Sequence, residues 1–420
     1  MREMKDSGIE WIGNIPVSWK IVKVKYNFTN KKDIAGILAD DYERLALTMN
    51  GVIKRSKEDN NGLQPEKFET YQVLNEGELV FKLIDLQNVS TSRVGLSPFI
   101  GLVSPAYIII KRNGEVLSEF AEKFFLSMWK NQIFNAMGDS GVRSSLNTKD
   151  LLEIQMVFPS ESEQKAIADY LDSKCAELDN IISDIQSQIE VLEEYKRSVI
   201  TEAVTKGLDP DVEMRDSGIA WVCDIPALWL VEKVKFHLQR NEPRNPGDKQ
   251  VLSVYREYGV IPKDSRDDNH NVTSEDTSNY KYVVPGNLVI NKMKAWQGSM
   301  GVSEYEGIVS PAYFIYKFTD NQIMPKYLHY LFRSCYKDEF RRISGGIREG
   351  QWDLSPYEFS NTLLLIPPTD EQNRIVSYID ARISEIESAI TEKKQQIETI
   401  EEYKKSLIFE YVTGKKEVIV

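Results

Sequence analysis

The sequence predicts an α+β protein in which two globular domains, each with a mixed or antiparallel sheet, are separated by two long helices that pair as an antiparallel coiled coil. Residues 163–206 recur as residues 371–414 and match at 19 of 44 positions without a gap. Each copy has apolar residues every seven positions and at the intervening 3/4 spacing, which forms one narrow seam along a helix. Such a seam needs a partner helix, and the block between the copies is long enough to return the chain. Each helix would be about 66 Å long.

The repeat extends into the globular blocks. Residues 4–26 return as residues 214–236 with 12 of 23 positions identical, and GLVSPAY at 101–107 returns as GIVSPAY. SGVR at 140–143 is matched by GGIR in the second block. The order block, helix, block, helix predicts an approximate internal two-fold symmetry. We divide the chain into a first globular domain at 1–159, a first helix at 160–206, a second domain at 207–367, and a second helix with a C-terminal tail at 368–420.

Within each block the apolar runs predict short strands, then a helix, then a last strand. In the first block we expect strands at 78–81, 102–110 and 154–158 and a helix at 118–137. In the second block we expect strands at 287–291, 308–318 and 362–366 and a helix at 325–341. Prolines precede both long helices. The expected N-caps are Ser160 or Ser162 for the first long helix and Thr369 or Asp370 for the second.

The middles of the two blocks diverge. Residues 27–100 and 237–306 share little beyond a GxLV element and differ in length. One frame with two different middles fits a scaffold that presents two different recognition surfaces. Drift after an old duplication explains the same divergence equally well, so both interpretations stay open.

Charge and cysteine content narrow the classes of function. The chain of 420 residues carries a net charge of −12, which argues against nucleic acid as a partner. Residues 160–206 and 368–416 hold −8 of it, however, so the globular blocks are nearly neutral. The three cysteines are scattered without CxxC spacing, which favours a reducing compartment and argues against disulfides or a zinc site. No apolar run reaches the roughly 18 residues of a membrane helix, so we expect a cytoplasmic protein without membrane association.

Motifs of the common enzyme classes are absent from the sequence. It contains no GxxxxGK[ST] loop, no GxGxxG after a strand, no HExxH and no GxSxG. ExK pairs like those of metal-dependent nucleases occur on the long helices at Glu194/Lys196, Glu392/Lys394 and Glu402/Lys404, where they are best explained as solvated charges. The sequence therefore predicts a binding protein with no catalytic residues, metal site or cofactor of its own.

The predicted binding residues lie in loops of the two blocks. Residues 288–303 form a basic and aromatic loop, and residues 344–352 form a Gly-rich turn from which Arg348 would project toward phosphates or base edges. For a single residue a solvated surface charge is the simpler explanation, but the blocks differ around Arg143 and Arg348 and both keep the arginine. The DNA-contact candidates are Lys82, Gln87, Asn88, Arg93 and Arg143 in the first block and Tyr255, Arg256, Lys292, Lys294, Trp296, Gln297 and Arg348 in the second. The repeated tryptophans Trp11, Trp19, Trp221 and Trp229 are expected to pack each block onto a long helix.

The repeated motifs resemble those of the specificity subunit of Type I restriction-modification systems. The matching pieces are the DSGIxWxxxIPxxW openings, GxLV with KMKAWQG, the SPAY strands, and the junctions FPSESEQKAIADYLD and IPPTDEQNRIVSYID. They cover nearly the whole chain. The first block has KLIDLQNVS in place of KMKAWQG, so the roles of Lys292, Lys294 and Trp296 do not transfer to it.

The resemblance implies a non-catalytic subunit that recognises DNA. Each block would be a target recognition domain for one half of a bipartite, asymmetric site in double-stranded DNA, and the paired helices would fix the spacing between the half-sites. Two methyltransferase subunits that bind S-adenosylmethionine would dock on the helices and blocks and methylate adenine. Restriction subunits with motor and nuclease activity, dependent on ATP and Mg, would add cleavage.

Two other hypotheses are compatible with the residues. One is a coiled-coil scaffold that joins two protein-binding domains and has no nucleic-acid role. The other is a stand-alone nuclease, which would have to cut DNA with metal alone. Salt-dependent DNA binding separates the scaffold from the favoured hypothesis, because phosphate contacts weaken steeply with salt.

Overall fold

The protein folds into two compact units of helices and strands, which confirms the α+β prediction. The computed structural model describes residues 2–59, 67–86, 91–137, 145–244, 246–247, 249–256, 258–265, 273, 276–346 and 352–418. Unit 1 contains Met1–Gln186 and Lys394–Val420, and unit 2 contains Ser187–Lys393. Both boundaries fall inside the long helices, so each unit holds one globular block and a part of both helices.

Unit 1 begins with a hairpin and continues into short strands and helices. Its strands are β1 (Met4–Asp6), β2 (Asn14–Pro16), β3 (Lys20–Lys23), β4 (Phe28–Lys31), β5 (Arg44–Thr48), β6 (Gly51–Arg55), β7 (Gln72–Leu74), β8 (Leu79–Phe81), β9 (Val94–Leu96), β10 (Gly101–Val103), β11 (Ile108–Arg112) and β12 (Gln155–Phe158). Its helices are α1 (Ser118–Lys130), α2 (Ile133–Met137), α3 (Thr148–Glu153) and the long helix α4 (Glu161–Lys206), which continues into unit 2.

Unit 2 repeats this order of elements. Its strands are β13 (Met214–Asp216), β14 (Asp224–Pro226), β15 (Leu230–Lys233), β16 (Leu238–Arg240), β17 (Leu252–Tyr255), β18 (Gly259–Pro262), β19 (Lys281–Val283), β20 (Leu288–Asn291), β21 (Met300–Val302), β22 (Gly307–Val309), β23 (Tyr313–Phe318), β24 (Ser344–Gly345), β25 (Asp353–Leu354) and β26 (Leu363–Ile366). Its helices are α5 (Val234–His237), α6 (Pro325–Ser334), α7 (Lys337–Arg342), α8 (Pro356–Asn361) and the long helix α9 (Thr369–Val412), which continues into unit 1.

The globular blocks share one strand topology. A four-stranded antiparallel sheet has the order β4-β11-β8-β9 in unit 1 and β16-β23-β20-β21 in unit 2. The hairpin β5–β6 joins β10 through the parallel pair Arg44 and Leu102. The hairpin β17–β18 joins β22 through the equivalent parallel bridge between Val251, just before β17, and Ile308. The middles thus share a fold although they share little sequence, because a short buried strand requires apolar side chains rather than particular ones.

Several predicted elements are divided in the structure. The predicted helix at 118–137 is two helices, α1 and α2, because Gln132 between them has a φ of 60°, in the left-handed region that a right-handed helix cannot include. The predicted helix at 325–341 is likewise divided into α6 and α7. The predicted strands at 102–110 and 308–318 each break at the SPAY motif into two strands.

The N-cap prediction is confirmed for one long helix and wrong for the other. Ser160 precedes α4, and its hydroxyl lies 2.9 Å from Glu163, whose backbone N–H in turn points back to that hydroxyl. Helix α9 begins at Thr369 itself, so Thr369 and Asp370 lie inside the helix and Pro368 occupies the preceding position.

The long helices pair antiparallel within each unit, as predicted. In unit 1 the early part of α4 packs on the late part of α9: the Tyr170 and Tyr411 rings are 4.6 Å apart, and Lys404 forms an ion pair with Asp179. In unit 2 the corresponding ion pair joins Lys196 to Glu387 at 3.5 Å. Both pairs use the same two positions of the 208-residue repeat, so the two copies meet in the same way.

Each block is attached to its long helix by the Glu-Gln dipeptide near the start of that helix. Trp19 and Trp229 are buried and donate their indole N–H groups to Glu163 and Glu371. These contacts confirm the packing role predicted for both tryptophans. Burial opposes ionisation of Glu163, but hydrogen bonds from Ser160 and Trp19 and the charge of Arg2 outweigh it and lower the pKa of this carboxyl.

The neighbouring glutamines connect the helix starts to the globular blocks. Gln164 accepts the backbone N–H of Leu117 just before α1, and Gln372 accepts that of Met324 just before α6, both at 2.7 Å. Both glutamine side chains are fully buried. The Glu-Gln dipeptide therefore fixes where the helices of each block begin relative to the long helix in the same unit.

Candidate nucleic-acid interface

Three segments of unit 2 that are distant in sequence meet at one end of its sheets. Arg256, at the tip of the hairpin β17–β18, donates a hydrogen bond to Gln297 in the loop after β20. Lys292 of the same loop forms an ion pair with Asp353 of β25 at 3.2 Å. The structure therefore brings together candidates that the sequence places in separate segments.

The loop after β20 is rigid because its own residues hold it. Ala295 is fully buried, and residues Ala295–Gln297 form a single 3₁₀ turn that ends at Gly298 with a φ of 87°. A left-handed residue at this position favours glycine. Trp296 donates its indole N–H to the backbone of Met293 at 3.1 Å. The side chains of this loop are thus presented from a fixed turn.

Two aromatic rings connect this loop to the third segment. The ring centroids of Trp296 and Trp352 are 5.4 Å apart, tilted by 54°. The backbone N–H of Leu354 donates to the carbonyl oxygen of Lys292 at 2.9 Å. Trp352 and Asp353 were not among the predicted contact residues; the available signal was their position, since Trp352 ends the predicted Gly-rich turn and Asp353 follows it.

Arg333 of α6 supports the hairpin tip from behind. Its guanidinium donates to the carbonyl oxygens of Tyr255 and Met300 at 3.3 and 3.1 Å and also to that of Arg256. These bonds join the hairpin, the strand β21 and the helix α6. Arg256 is therefore mounted on a fixed backbone while its own side chain is exposed.

The remaining candidates of unit 2 differ in exposure. Lys294 is exposed, whereas Tyr255, Lys292, Trp296 and Gln297 are partly buried. Arg348 lies outside the residues that the structure describes. Exposed and partly buried cations next to aromatic rings and an amide have the chemistry needed for phosphate and base-edge contacts.

The candidates of unit 1 are placed differently. Arg93 is fully buried and donates to the carbonyl oxygen of Asp85 at 2.6 Å; burial lowers the pKa of its guanidinium. Lys82 lies 3.2 Å from the Thr91 hydroxyl, and burial together with the charge of Arg93 lowers the pKa of Lys82. Both cations therefore contact described residues of their own segment, Asp85 and Thr91. Gln87, Asn88 and Arg143 lie outside the described residues.

The two units nevertheless share the same backbone arrangement at this end. The backbone N–H of Leu146 donates to the carbonyl oxygen of Leu83 at 3.0 Å, as Leu354 does to Lys292 in unit 2. The hairpin tips differ in chemistry: unit 1 exposes Met49 and Asn50 where unit 2 carries Arg256. One frame therefore presents different side chains at equivalent places.

A second pair of equivalent positions holds the edge strands. His329 of α6 accepts the backbone N–H of Val302 through Nδ1 at 3.2 Å, and Glu122 of α1 accepts that of Leu96 at 2.9 Å. Burial, with the nearby charges of Arg333 and Lys326, lowers the pKa of His329 to about 3. His329 therefore serves as a neutral acceptor that fixes β21 on α6.

The described residues show neither a candidate metal cluster nor a helix that could cross a membrane. In the part of the chain that the structure covers, His, Cys, Asp and Glu side chains form no group of three that could hold a metal ion. None of the helices there combines the length and apolar character required to cross a membrane.

Sequence comparisons agree with this architecture. Residues 236–399 match the family described as Type I restriction modification DNA specificity domain. The chain is 22% identical over 324 residues to the putative type I restriction enzyme MjaX specificity subunit of Methanocaldococcus jannaschii, with 74% of this chain and 71% of that protein covered. It is 24% identical over 370 residues to the MjaVIII specificity subunit of the same organism, with 82% and 80% covered.

Structural comparisons show a shared fold. A chain from a study of complex assembly and conformational transition of the type I R-M system matches with a TM-score of 0.67 at 12% identity, covering 96% of this chain and 99% of that one. The HsdS subunit from Thermoanaerobacter tengcongensis matches with a TM-score of 0.51 at 14% identity, covering 96% and 98%. In its repeated motifs, in its sequence and in its fold, this chain resembles the DNA specificity subunits of Type I restriction-modification systems.

Proposed function

We propose that this chain is the DNA specificity subunit of a Type I restriction-modification complex and that it recognises a bipartite, asymmetric DNA site. One half of the site would be contacted by the cluster around Arg256, Lys292 and Trp296 in unit 2. The equivalent end of unit 1 would contact the other half.

The observation that carries the proposal is that both units share one strand topology but carry different residues at equivalent hairpin tips. Both units have the same sheet order and the same backbone contact behind the loop after the third strand. Equivalent hairpin tips carry Met49 and Asn50 in one unit and Arg256 in the other. Two units with the same topology and the same tip residues would match a palindromic DNA site. Units with different tip residues match a site whose two halves differ in sequence.

The exposed residues of the long helices support the binding of two copies of one partner protein. Six exposed positions are identical in both copies of the repeat, although the apolar packing of the seam does not require exposed residues. These positions are Glu177/Glu385, Gln188/Gln396, Glu190/Glu398, Glu194/Glu402, Tyr195/Tyr403 and Ser198/Ser406. We infer that they bind two copies of one partner, the methyltransferase subunit. Tyrosine is a common anchor in such interfaces.

The catalytic steps are assigned to the partners in this proposal. Methyltransferase subunits would hold S-adenosylmethionine, and restriction subunits would use ATP and Mg, while this chain supplies recognition without catalysis. Because its proposed substrate is DNA and its three cysteines are unpaired, we infer a cytoplasmic location.

The test is to express the chain with its methyltransferase partner and to map DNA methylation across the host genome. We expect one motif with two unlike halves separated by a fixed spacer. Purified complex should bind that motif with an affinity that falls steeply with salt. Lys294→Ala should weaken binding to all sequences alike and reduce the salt slope by about one, as expected for a phosphate contact.

The result that would contradict the proposal is a complex that assembles but neither methylates a motif nor binds DNA in a salt-dependent manner. That outcome would favour the scaffold hypothesis. Arg240 is the matched control. It lies on β16, outside the cluster, and forms an ion pair with Glu242. Arg240→Ala should leave the motif and the salt slope unchanged.

A further inference from the structure

We propose that Arg256 and Gln297 act as one unit that recognises a guanine in the half-site contacted by unit 2. The inference rests on the proposed DNA-recognition function and adds the identity of one base to it.

The first step is the orientation of the Gln297 amide. Arg256 donates a hydrogen bond through Nη2 to Oε1 of Gln297. A guanidinium has donors only, so the amide atom that faces it is the carbonyl oxygen and the amide nitrogen is directed elsewhere. Apart from the second lone pair of Oε1, the hydrogen-bonding groups left on both side chains are then N–H donors.

The second step is that the pair is held in place before DNA arrives. Arg333 fixes the backbone at Tyr255 and Arg256, and Gln297 belongs to a 3₁₀ turn anchored by the buried Ala295. Side chains mounted on a fixed backbone lose less conformational entropy when they bind. The pair therefore has the rigidity that base recognition requires.

The third step is the match between donors and bases. In the major groove guanine presents two acceptors, N7 and O6, whereas adenine presents one acceptor beside an N6 donor and cytosine presents a donor. A pair that presents N–H donors to the groove is matched by guanine and meets a competing donor on adenine or cytosine. A glutamine that contacts adenine through both amide atoms would have to turn Oε1 toward the base, and here Oε1 faces Arg256.

The guanine contact is expected in one half-site only. Unit 1 carries the exposed residues Met49 and Asn50 at the equivalent hairpin tip. Neither is a cation, and no arginine occupies that tip, so the donor pair has no counterpart there.

The test uses the complex of the full chain with its methyltransferase partner and the motif found by methylation mapping. Binding is measured for DNA in which each base pair of the motif is replaced in turn. We expect Arg256→Ala and Gln297→Ala to weaken binding by at least about fivefold and to relax the same G·C pair. Because the two side chains act together, the double variant should bind DNA with about the same affinity as the weaker-binding of the two single variants. Arg240→Ala is the control and should change nothing.

Two further measurements do not depend on a truncated side chain. Gln297→Glu keeps an oxygen toward Arg256 but replaces the outward donor by an acceptor, so it should lose the guanine preference as strongly as Gln297→Ala. Replacing the guanine by 7-deazaguanine removes the N7 acceptor, so it should weaken wild-type binding but not binding by the double variant.

Three results would overturn the inference: relaxation of an A·T pair instead of a G·C pair, relaxation of different base pairs by the two variants, or unchanged discrimination in both. An equal loss with 7-deazaguanine in wild type and double variant would also overturn it. If the wild-type complex binds DNA without any sequence preference, the proposed function itself fails; specific wild-type binding with any of the other results removes only the guanine assignment.

Discussion

Trp229 donates its indole N–H to Glu371 at 3.0 Å, and the repeat places Trp19 on Glu163 in the same way at 3.3 Å. Each tryptophan comes from the opening hairpin of a globular block and each glutamate from the start of a long helix. The next residue in each helix is a buried glutamine with several hydrogen bonds. Three residues in each copy of the repeat, a tryptophan, a glutamate and a glutamine, thus define how each block is attached to the long helix in its own unit.

Replacement of Gln372 by alanine tests that attachment. Its side chain accepts from Met324 and donates to the carbonyl oxygens of Gln322 and Pro367, at 2.7 to 2.9 Å. Because these backbone groups are left without this partner in a buried site, we expect Gln372→Ala to lower the free energy of unfolding by about 2–4 kcal/mol. Urea denaturation measures the change. The exposed Gln396 is the control, since Gln396→Ala should change stability by less than about 0.5 kcal/mol; equal effects of both variants would contradict the attachment role.

The opening hairpins contain a second test in Cys223. This residue has a φ of 61°, and the equivalent residue of unit 1 is Gly13 with a φ of 67°. A left-handed conformation costs a residue with a side chain about 1–2 kcal/mol, partly offset by the greater freedom of glycine in the unfolded chain. We therefore expect Cys223→Gly to stabilise the protein by about 0.5–1 kcal/mol and Gly13→Cys to destabilise it. Thermal melting decides, and a lower melting temperature for Cys223→Gly would show that the thiol makes a compensating contact.

His329 predicts an acid-sensitive stability. Its pKa is lowered to about 3 in the folded protein by burial and by Arg333 and Lys326, whereas an unfolded chain has a histidine pKa of about 6.5. The unfolded state therefore takes up a proton first, so the contribution of His329 is present above pH 6.5 and is lost as the pH falls toward 3. At pH 5 the free energy of unfolding should be lower by about 2 kcal/mol because of this residue. His329→Gln keeps an acceptor for Val302 without a titrating group, so its stability should fall less between pH 7 and pH 5; parallel curves would contradict this.

The spacing role proposed for the long helices has a geometric test. Lys393 donates to Gln188, so these positions face each other within unit 2. Seven residues added next to both positions lengthen each helix by about 10 Å and should lengthen the spacer of the methylated motif by about three base pairs. Methylation mapping would show the new spacer with both half-sites unchanged. The same insertion in one helix only should abolish the motif, because it breaks the register; an unchanged spacer with both insertions would contradict the proposal.

Tyr195 and Tyr403 test whether one partner binds twice. Their side chains are 49% and 53% exposed and occupy equivalent repeat positions. If each anchors one methyltransferase subunit, Tyr195→Ala or Tyr403→Ala should leave one bound subunit, and the double variant none. Native mass spectrometry counts the subunits. Ile181 is the control: it is 40% exposed, but the repeat has alanine at the equivalent position 389, so Ile181→Ala should retain both subunits.

The long helices were predictable because their signal is local and repeated. Apolar residues at heptad spacing, such as Leu171 and Ile379, are buried as expected. The helix break at Gln132 was not predictable, since glutamine has no special preference for a left-handed conformation. The common topology of the two middles was missed because strand pairing joins residues far apart in sequence, and strands such as Gln72–Leu74 are too short to show alternation.

The candidate interface was predictable by residue type and only partly by position. Arg256, Lys292, Trp296 and Gln297 were selected as basic, aromatic and amide side chains in loops, and the fold brings these four into one cluster. Whether they contact DNA remains a prediction. The burial of Arg93 could not be foreseen, because it depends on a tertiary contact with the backbone of Asp85.

The separate cores of the two units have an evolutionary consequence. The cluster around Phe120 and Phe124 involves residues of unit 1 alone, and the cluster around Phe332 and Phe340 involves residues of unit 2 alone. A mutation at one hairpin tip therefore leaves the packing of the other unit unchanged. Under the proposed function, a lineage can alter one half of its target while it keeps the other. The number of available targets then grows as the product of the variants of each unit rather than as their sum.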